Sequence, residues 1–404
     1  MRILSIHNSY QIRGGEDESR AAEERLLREK GHCVEAYEEN NDRIASLNPA
    51  QMALKTVWSA ESYQTVNQRL EQARYDIVHV QNFFPLISPS VYYAARAQGV
   101  PVVQTLRNYR LLCPNALFFR DGRVCEDCLG KAVPTPALIH SCYRDNRTAT
   151  GVTATMLTVH RALQTWMKMV DVYIAPTEFA RDKFIEGGFP ANKIVVKPNF
   201  VHPDPGIGEG KGGYALFVGR LSVEKGLDTL LAAWEHLGTK IPLKIVGEGP
   251  LASQVAEVAS RLPAVEWLGR RPMSEVYDLI GEAKMLIFPS KWYETFGRVA
   301  VEAFAKGTPV IAAKIGAIAE LIEHGRTGLH FEPGNSQELA AQVEWALQHP
   351  QVLAQMRCEA RAEFEAKYTA TQNYQRLMEI YNTVRGSNAI SNSIGLQGQP
   401  VALP

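Results

Sequence analysis

Pro289-Ser290-Lys291-Trp292-Tyr293-Glu294-Thr295-Phe296-Gly297-Arg298-Val299-Ala300-Val301-Glu302 follows the apolar run Met285 to Phe288 and precedes a second run, Val310 to Ala312. A short apolar run, a polar loop, a helix starting near Phe296 and another apolar run make the repeating unit of a parallel sheet. Outward from this stretch the same order recurs. Toward the linker lie Tyr214 to Val218, Leu243 to Val246 and Val265 to Leu268, and beyond the stretch lies Gly328 to Phe331. The first half repeats the scheme at Ile3 to His7, Asp76 to Val80, Val100 to Thr105, Val172 to Ala175 and Ile194 to Val196. Between the first two, Glu16 to Lys30 places Ala21, Ala22, Leu26 and Leu27 at helical spacing, with Gly31 as the stop. The class is α/β, with two doubly wound domains and a ligand cleft where their strand ends meet.

The Pro/Gly-rich stretch Pro198 to Gly213 divides the 404 residues into two domains, 1–197 and 198–367. A helix is expected over 368–385, and the Gly/Ser/Asn-rich residues 386–404 read as a flexible tail. Lys+Arg and Asp+Glu are equal at 43 each, which argues against a nucleic-acid-binding protein. No apolar run approaches the roughly 20 residues of a membrane span. Met1-Arg2-Ile3-Leu4 enters a strand directly, so the expected address is cytoplasmic.

Three places carry residues suited to an anionic sugar ligand. Gly14-Gly15, in the first loop, lets backbone N–H groups approach a ligand closely, although Glu16-Asp17 beside it fits a plain turn before a charged helix as well. Arg220 and Lys225, in Gly219-Arg220-Leu221-Ser222-Val223-Glu224-Lys225-Gly226, stand after a strand and before a helix, where two cations suit a diphosphate. Glu294 lies in the loop of the opening stretch, and Glu302 about one and a half turns into the helix, so both carboxylates can address one ligand.

The Glu-x7-Glu pair Glu294/Glu302, Arg220 and Lys225, Gly-Glu-Gly-Pro at 247–250 and Gly14-Gly15 together resemble the retaining glycosyltransferases of family 4, which have the GT-B fold. The resemblance spans residue 1 to about residue 385. It implies two Rossmann-like domains, with the last helix crossing back to the first domain. It also implies transfer from a nucleotide diphosphate sugar, UDP-linked by family likeness, to a saccharide or lipid-linked saccharide acceptor in exopolysaccharide or surface-glycan assembly. By the same likeness Arg220, Lys225 and Glu294 are catalytic. Gly14, Gly15, Phe296, Gly297, Arg298 and Glu302 bind the donor, while Arg270 and Arg271 lie beside the base. The acceptor side takes His79, Asn82, Arg107 and Asn108; relatives often carry His-Asn or His-Asp where this chain reads Arg107-Asn108. His79 reads equally well as a buried, satisfied histidine. No cofactor is required for catalysis in this reading, and the sequence holds no Asp-x-Asp.

Cys113-x11-Cys125-x2-Cys128-x13-Cys142 brackets a hairpin-like insert, 113–142, with an Asp-Gly turn. In a cytoplasmic chain the four suggest a structural zinc site; an iron–sulfur or redox pair, and unliganded thiols, are the other readings. From Arg96 to Lys168 ten bases face four acids, which suggests an acidic acceptor, peripheral contact with the inner membrane surface, or scattered solvated arginines. Two alternatives to transfer are a sugar-nucleotide epimerase of the same fold and a catalytically weak sugar-nucleotide-binding partner in an assembly complex.

Overall fold

The computed structural model describes residues 1–11 and 14–393. The first domain contains β1 (Arg2–Ser9), β2 (Cys33–Asn40), β3 (Ile77–Asn82), β4 (Val102–Thr105), the hairpin β5 (Phe119–Arg120) and β6 (Arg123–Val124), β7 (Val172–Ala175) and β8 (Ile194–Val196). The second contains β9 (Ala215–Val218), β10 (Leu243–Val246), β11 (Val265–Gly269), β12 (Met285–Phe288), β13 (Val310–Ala313) and β14 (Gly328–Phe331). Each domain has one six-stranded parallel sheet, ordered β2-β1-β3-β4-β7-β8 and β11-β10-β9-β12-β13-β14.

Strand period decides which side chains go to which face. In the first sheet Leu4, Val78 and Val102 pack with Val66, Leu70 and Val91, while Ile3, Ile77 and Val103 point the other way toward Leu27. In the second, Phe217, Ile245, Ile287 and Ile311 line one face and Leu216, Leu286 and Val310 the other. In each sheet the strand order reverses beside the domain's first strand, between β1 and β3 and between β9 and β12. Those switch points open crevices at the carboxyl ends of the strands.

The last helix, Ala370–Ser393, crosses back to the first domain, where Leu377, Tyr381 and Val384 join Ile3, Ile77 and Ile174. It runs past Gly386, where a tail was expected to start; residues 394–404 lie outside the described ones. β2 was absent from the expected strands because Glu35, Glu38 and Glu39 break the apolar pattern. It is a half-exposed edge strand that pairs with β1 along its whole length. The hairpin turn formed as expected, with Asp121 and Gly122 both at positive φ. Among the described residues no helix is long and apolar enough to cross a membrane.

Candidate active site

The donor-side loops rise from the second domain's switch point. After β9 the chain passes Arg220, makes the turn Val223–Lys225 and reaches Gly226 at φ 72°. A Cβ on Gly226 would lie 1.9 Å from the Pro289 carbonyl oxygen, so only glycine lets this turn touch the loop after β12. That contact sets Lys225 against Glu294: Nζ donates to Oε1 at 2.6 Å. The same oxygen accepts from Trp292 Nε1 at 2.9 Å and Ser290 Oγ at 3.1 Å, and the Trp292 ring lies 5.4 Å from the ammonium. Three donors converge on one buried carboxylate. Gly247 and Gly249 serve the same floor, since their Cβ positions fall on the Gly219 and Leu221 carbonyls. Arg220 and Arg270 are exposed at the ends of β9 and β11 and have no ion-pair partner among the described residues, whereas Arg271 lies 3.6 Å from Glu275.

Glu302 is reached from the other end of the same loop. Gly297, at φ 100°, caps the helix Arg298–Ala305, which therefore begins two residues after Phe296. The Phe296 side chain is buried against Tyr368 and leaves only its backbone for a ligand. Arg298 Nε donates to Glu302 Oε1 at 2.7 Å, one helical turn away. Burial pushes the Glu302 carboxyl upward, and Arg298 only partly offsets it. A second guanidinium nitrogen of Arg298 is buried without a partner among the described residues. Across the cleft, a Cβ on Gly15 would sit 4.0 Å from Arg298 Cδ, so the structure brings the Gly14-Gly15 loop to the Arg298/Glu302 pair. The neighbouring acids are already engaged. Asp17 bonds His7 Nε2 at 2.8 Å and the Gly14 N–H at 3.0 Å, and Glu16 accepts from Asn108 Nδ2 at 3.1 Å.

On the acceptor side the residues divide. His79 is corrected to a structural role: one ring nitrogen meets the Tyr381 hydroxyl and the other Thr105 Oγ1, both at 2.7 Å, and burial lowers its pKa to about 4. Asn82 is likewise spent internally, donating to the Asn8 carbonyl and accepting from the Phe84 N–H. Arg107 is buried, bonded through Nε to Gln81 at 3.0 Å and to Asn199 at 2.9 Å. Its surroundings do not resemble those of a free phosphate ligand. Asn108 remains half-buried beside Glu16.

Several functional contacts were missed because they join distant loops. Thr295 Oγ1 donates to the Arg107 carbonyl at 2.9 Å, and the Thr295 carbonyl accepts from Thr177 Oγ1 at 3.0 Å. The Tyr109 hydroxyl donates to the Glu294 carbonyl at 3.3 Å. Glu320 accepts both the Glu178 and Phe179 N–H groups, at 3.0 and 2.8 Å, at a helix start. All four cross from one domain to the other. Trp292 and Ser290 were visible in the quoted stretch, but their convergence on Glu294 was not.

The four cysteines read as a zinc site lie within reach of one another, the other three thiols each raising the Cys128 thiol beyond the push of burial. Among the described residues no three or more His, Cys, Asp or Glu side chains are placed to hold a metal ion together. Cys113 Sγ donates to Asn115 Oδ1 at 2.9 Å, and burial raises the Cys142 thiol with only a partial offset from the neighbouring Arg120. The basic segment is also less uniform than its count suggests: Arg107 and Arg110 are buried and Arg120 pairs with Asp127 at 2.9 Å.

Residues 26–199 match the family model for the glycosyl transferase 4-like domain, and residues 205–363 the model for glycosyl transferases group 1. An uncharacterized glycosyltransferase of Methanocaldococcus jannaschii is 32% identical over 154 residues, 38% of this chain and 43% of that protein. The D-rhamnosyltransferase WbpZ of Pseudomonas aeruginosa is 34% identical over 161 residues, 39% of this chain and 42% of that protein. These two matches span less than half of each relative. An uncharacterized 42.6 kDa protein in the cps region of Klebsiella pneumoniae is 25% identical over 79% of this chain and 86% of its own length. Among solved structures, Anabaena HepE in complex with UDP-glucose superposes with a TM-score of 0.67 at 21% identity, covering 95% of this chain and all of that one. Sucrose-phosphate synthase of Thermosynechococcus elongatus gives 0.71 at 15% identity, with 96% and 100% coverage. The two facing domains have the GT-B fold.

Proposed function

We propose that this chain, a glycosyltransferase of the GT-B fold by both of its matched domains, moves a sugar from a nucleotide diphosphate sugar to a saccharide or lipid-linked saccharide acceptor, with retention at the anomeric carbon. The pathway is surface-polysaccharide assembly, a reading supported by the resemblance to the Klebsiella cps-region protein and to WbpZ. UDP is the favoured nucleotide, in keeping with the UDP complexes of HepE. The observation that carries the proposal is the pairing of Lys225 with Glu294 beside Arg298 with Glu302, two cations and two carboxylates presented by the turn after β9 and the loop and helix after β12, at a topological switch point.

In this reading Lys225 and Arg220, the latter without an ion-pair partner among the described residues, meet the diphosphate. They stabilise the charge that grows as the bond from the anomeric carbon to the phosphate oxygen breaks. Arg298 and the N–H groups at the helix start lie on the sugar and phosphate, Glu294 on sugar hydroxyls, and Glu302 on the ribose. The acceptor oxygen attacks from the face the phosphate leaves, and its proton passes to a departing phosphate oxygen. Charge neutralisation by side chains makes a divalent ion unnecessary for this step. The two glycosyl transferase matches favour transfer over isomerisation of the nucleotide sugar.

The test is turnover with a panel of nucleotide sugars and saccharide acceptors, and assignment of the product's anomeric configuration by NMR. Product of inverted configuration would overturn the retaining mechanism. Isomerised donor without acceptor would overturn transfer itself.

A further inference from the structure

The cysteine-bearing insert has little regular structure of its own. Between Cys113 and Cys142 it contains the two-residue strands β5 and β6 and one five-residue helix, Thr135–Ile139. A segment with so small a core is ordinarily held by cross-links or by a metal. The insert nevertheless supports the cleft. The Phe118 ring lies 5.0 Å from that of Tyr109, whose hydroxyl holds the Glu294 carbonyl, and 6.4 Å from that of Tyr293. Glu126, between the closely spaced cysteines, lies 2.7 Å from Lys183, whose ammonium stands 5.6 Å from the Tyr293 ring.

Four of the chain's six cysteines lie in this insert, and the backbone collects them in two pairs. Cys113 and Cys125 share Phe118: its N–H faces Cys113 Sγ, and its carbonyl accepts the Cys125 N–H at 2.8 Å. Cys128 and Cys142 share Ala137 in the same way: its N–H faces Cys128 Sγ, and its carbonyl accepts the Cys142 N–H at 3.1 Å. The pairs adjoin, because Cys128 is within electrostatic reach of the other three thiols. Arg120, paired with Asp127 at 2.9 Å, lies beside Cys142 and within electrostatic reach of Cys125. Backbone N–H groups facing sulfur form the outer shell that steadies a metal-bound thiolate, and a guanidinium offsets the negative charge that four thiolates leave around a dication. Cys33 and Cys358, outside the insert, are exposed.

We propose that Cys113, Cys125, Cys128 and Cys142 bind one structural zinc ion. Four thiolates satisfy its tetrahedral preference and leave no open position, the arrangement of a structural site. As neutral thiols the four sulfurs do not converge on one point. Cys113 Sγ is turned to Asn115 Oδ1, a bond that needs the thiol proton. Zinc binding replaces four S–H bonds by four Zn–S bonds and releases four protons, which ends that bond and lets the sulfur turn to the ion. The ion then ties the hairpin β5–β6 to the helix Thr135–Ile139 and stiffens the support that Phe118 gives the Glu294 loop. The site is independent of the donor reading and is measurable without turnover.

The experiment is metal analysis by mass spectrometry of the full chain, purified without chelator from cells grown with ample zinc. About one zinc per chain is expected. Exchange for cobalt(II) should give the visible and charge-transfer absorption of a tetrahedral thiolate complex. A maleimide should label Cys33 and Cys358 in the native chain, and the other four only after chelation. Cys128→Ser with Cys142→Ser is expected to lose the zinc, and Cys33→Ser with Cys358→Ser to keep it. The cobalt spectrum is read on the unaltered chain, so it stands whether or not the first variant folds. Absence of stoichiometric zinc would overturn the proposal, as would iron with acid-labile sulfide, a disulfide among the four cysteines, or zinc retained by Cys128→Ser with Cys142→Ser.

Discussion

Lys225 Nζ and Glu294 Oε1 stand 2.6 Å apart, joining the turn after β9 to the loop after β12. In the proposed reading a diphosphate at Lys225 and a sugar at Glu294 compete with this internal ion pair for the ammonium and for Oε1. The pair holds each group in a fixed position before any ligand arrives.

Glu294→Gln frees Lys225 while removing the carboxylate that addresses the sugar. The expected result is kcat lowered by about a hundredfold or more with UDP affinity kept or improved. Lys225→Ala should do the reverse to UDP, weakening it roughly tenfold to a hundredfold, the value of one charged hydrogen bond. Calorimetric titration with UDP separates the two; equal losses of UDP affinity in both variants would refute the exchange.

Glu302→Gln keeps the shape of the ribose site and removes its charge, and is expected to weaken nucleotide binding roughly tenfold. Glu302→Ala additionally strands Arg298, which is mostly buried, and should cost about 3 kcal/mol of stability. Urea denaturation of the two variants checks the difference. Identical nucleotide affinity in wild type and Glu302→Gln would remove the ribose assignment.

His79 gives a pH dependence with a defined sign. Its folded pKa is lowered from 6.5 to about 4, first by burial and then by Arg107 and Lys197, against the opposing pull of Glu23. Below pH 6.5 the unfolded chain therefore takes up a proton that the folded chain refuses. Stability from this residue is complete above pH 6.5 and is lost as the pH falls toward 4, by about 2 kcal/mol at pH 5. Urea midpoints at pH 7 and pH 5 should differ less in His79→Asn than in wild type; an equal difference would show that other groups carry the effect.

Gly226→Ala and Gly14→Ala separate packing from ligand approach. At Gly226 the added methyl meets the Pro289 carbonyl at positive φ, so a loss of about 1–3 kcal/mol and of UDP binding is expected. At Gly14 no atom lies within 4 Å and φ is −131°, so stability should be unchanged. Weakened donor binding in Gly14→Ala alone would place that loop on the ligand; thermal melting with and without UDP reads both effects.

The sheets and the donor loop were legible because their signals are local. Period and loop composition placed all six strands of the second domain, and the spacing from Glu294 to Glu302 survived a helix that starts two residues later than expected. Local signals failed where side chains answer to distant partners. His79 stands near the end of the expected run Asp76 to Val80, as a cleft residue would, yet it falls inside β3 and Tyr381, 302 positions away, claims its ring. Arg107 looked like a free cation until Gln81 and Asn199 enclosed it. The edge strand β2 was hidden by acids that its half-exposed position tolerates.

Thr295 holds the Arg107 carbonyl with its hydroxyl and is held by Thr177 through its carbonyl, while Tyr109 grips the carbonyl of Glu294. The segment proposed to address the sugar is therefore also the seam along which the two halves are fastened. Parting them to release a spent nucleotide cannot be a rigid swing that leaves the reading segment untouched, because three of the bonds to be broken end on residues 294 and 295. In the proposed reading, any parting of the two domains disturbs the Glu294 carbonyl and both polar groups of Thr295, and closure must restore those bonds before a fresh donor sugar is held.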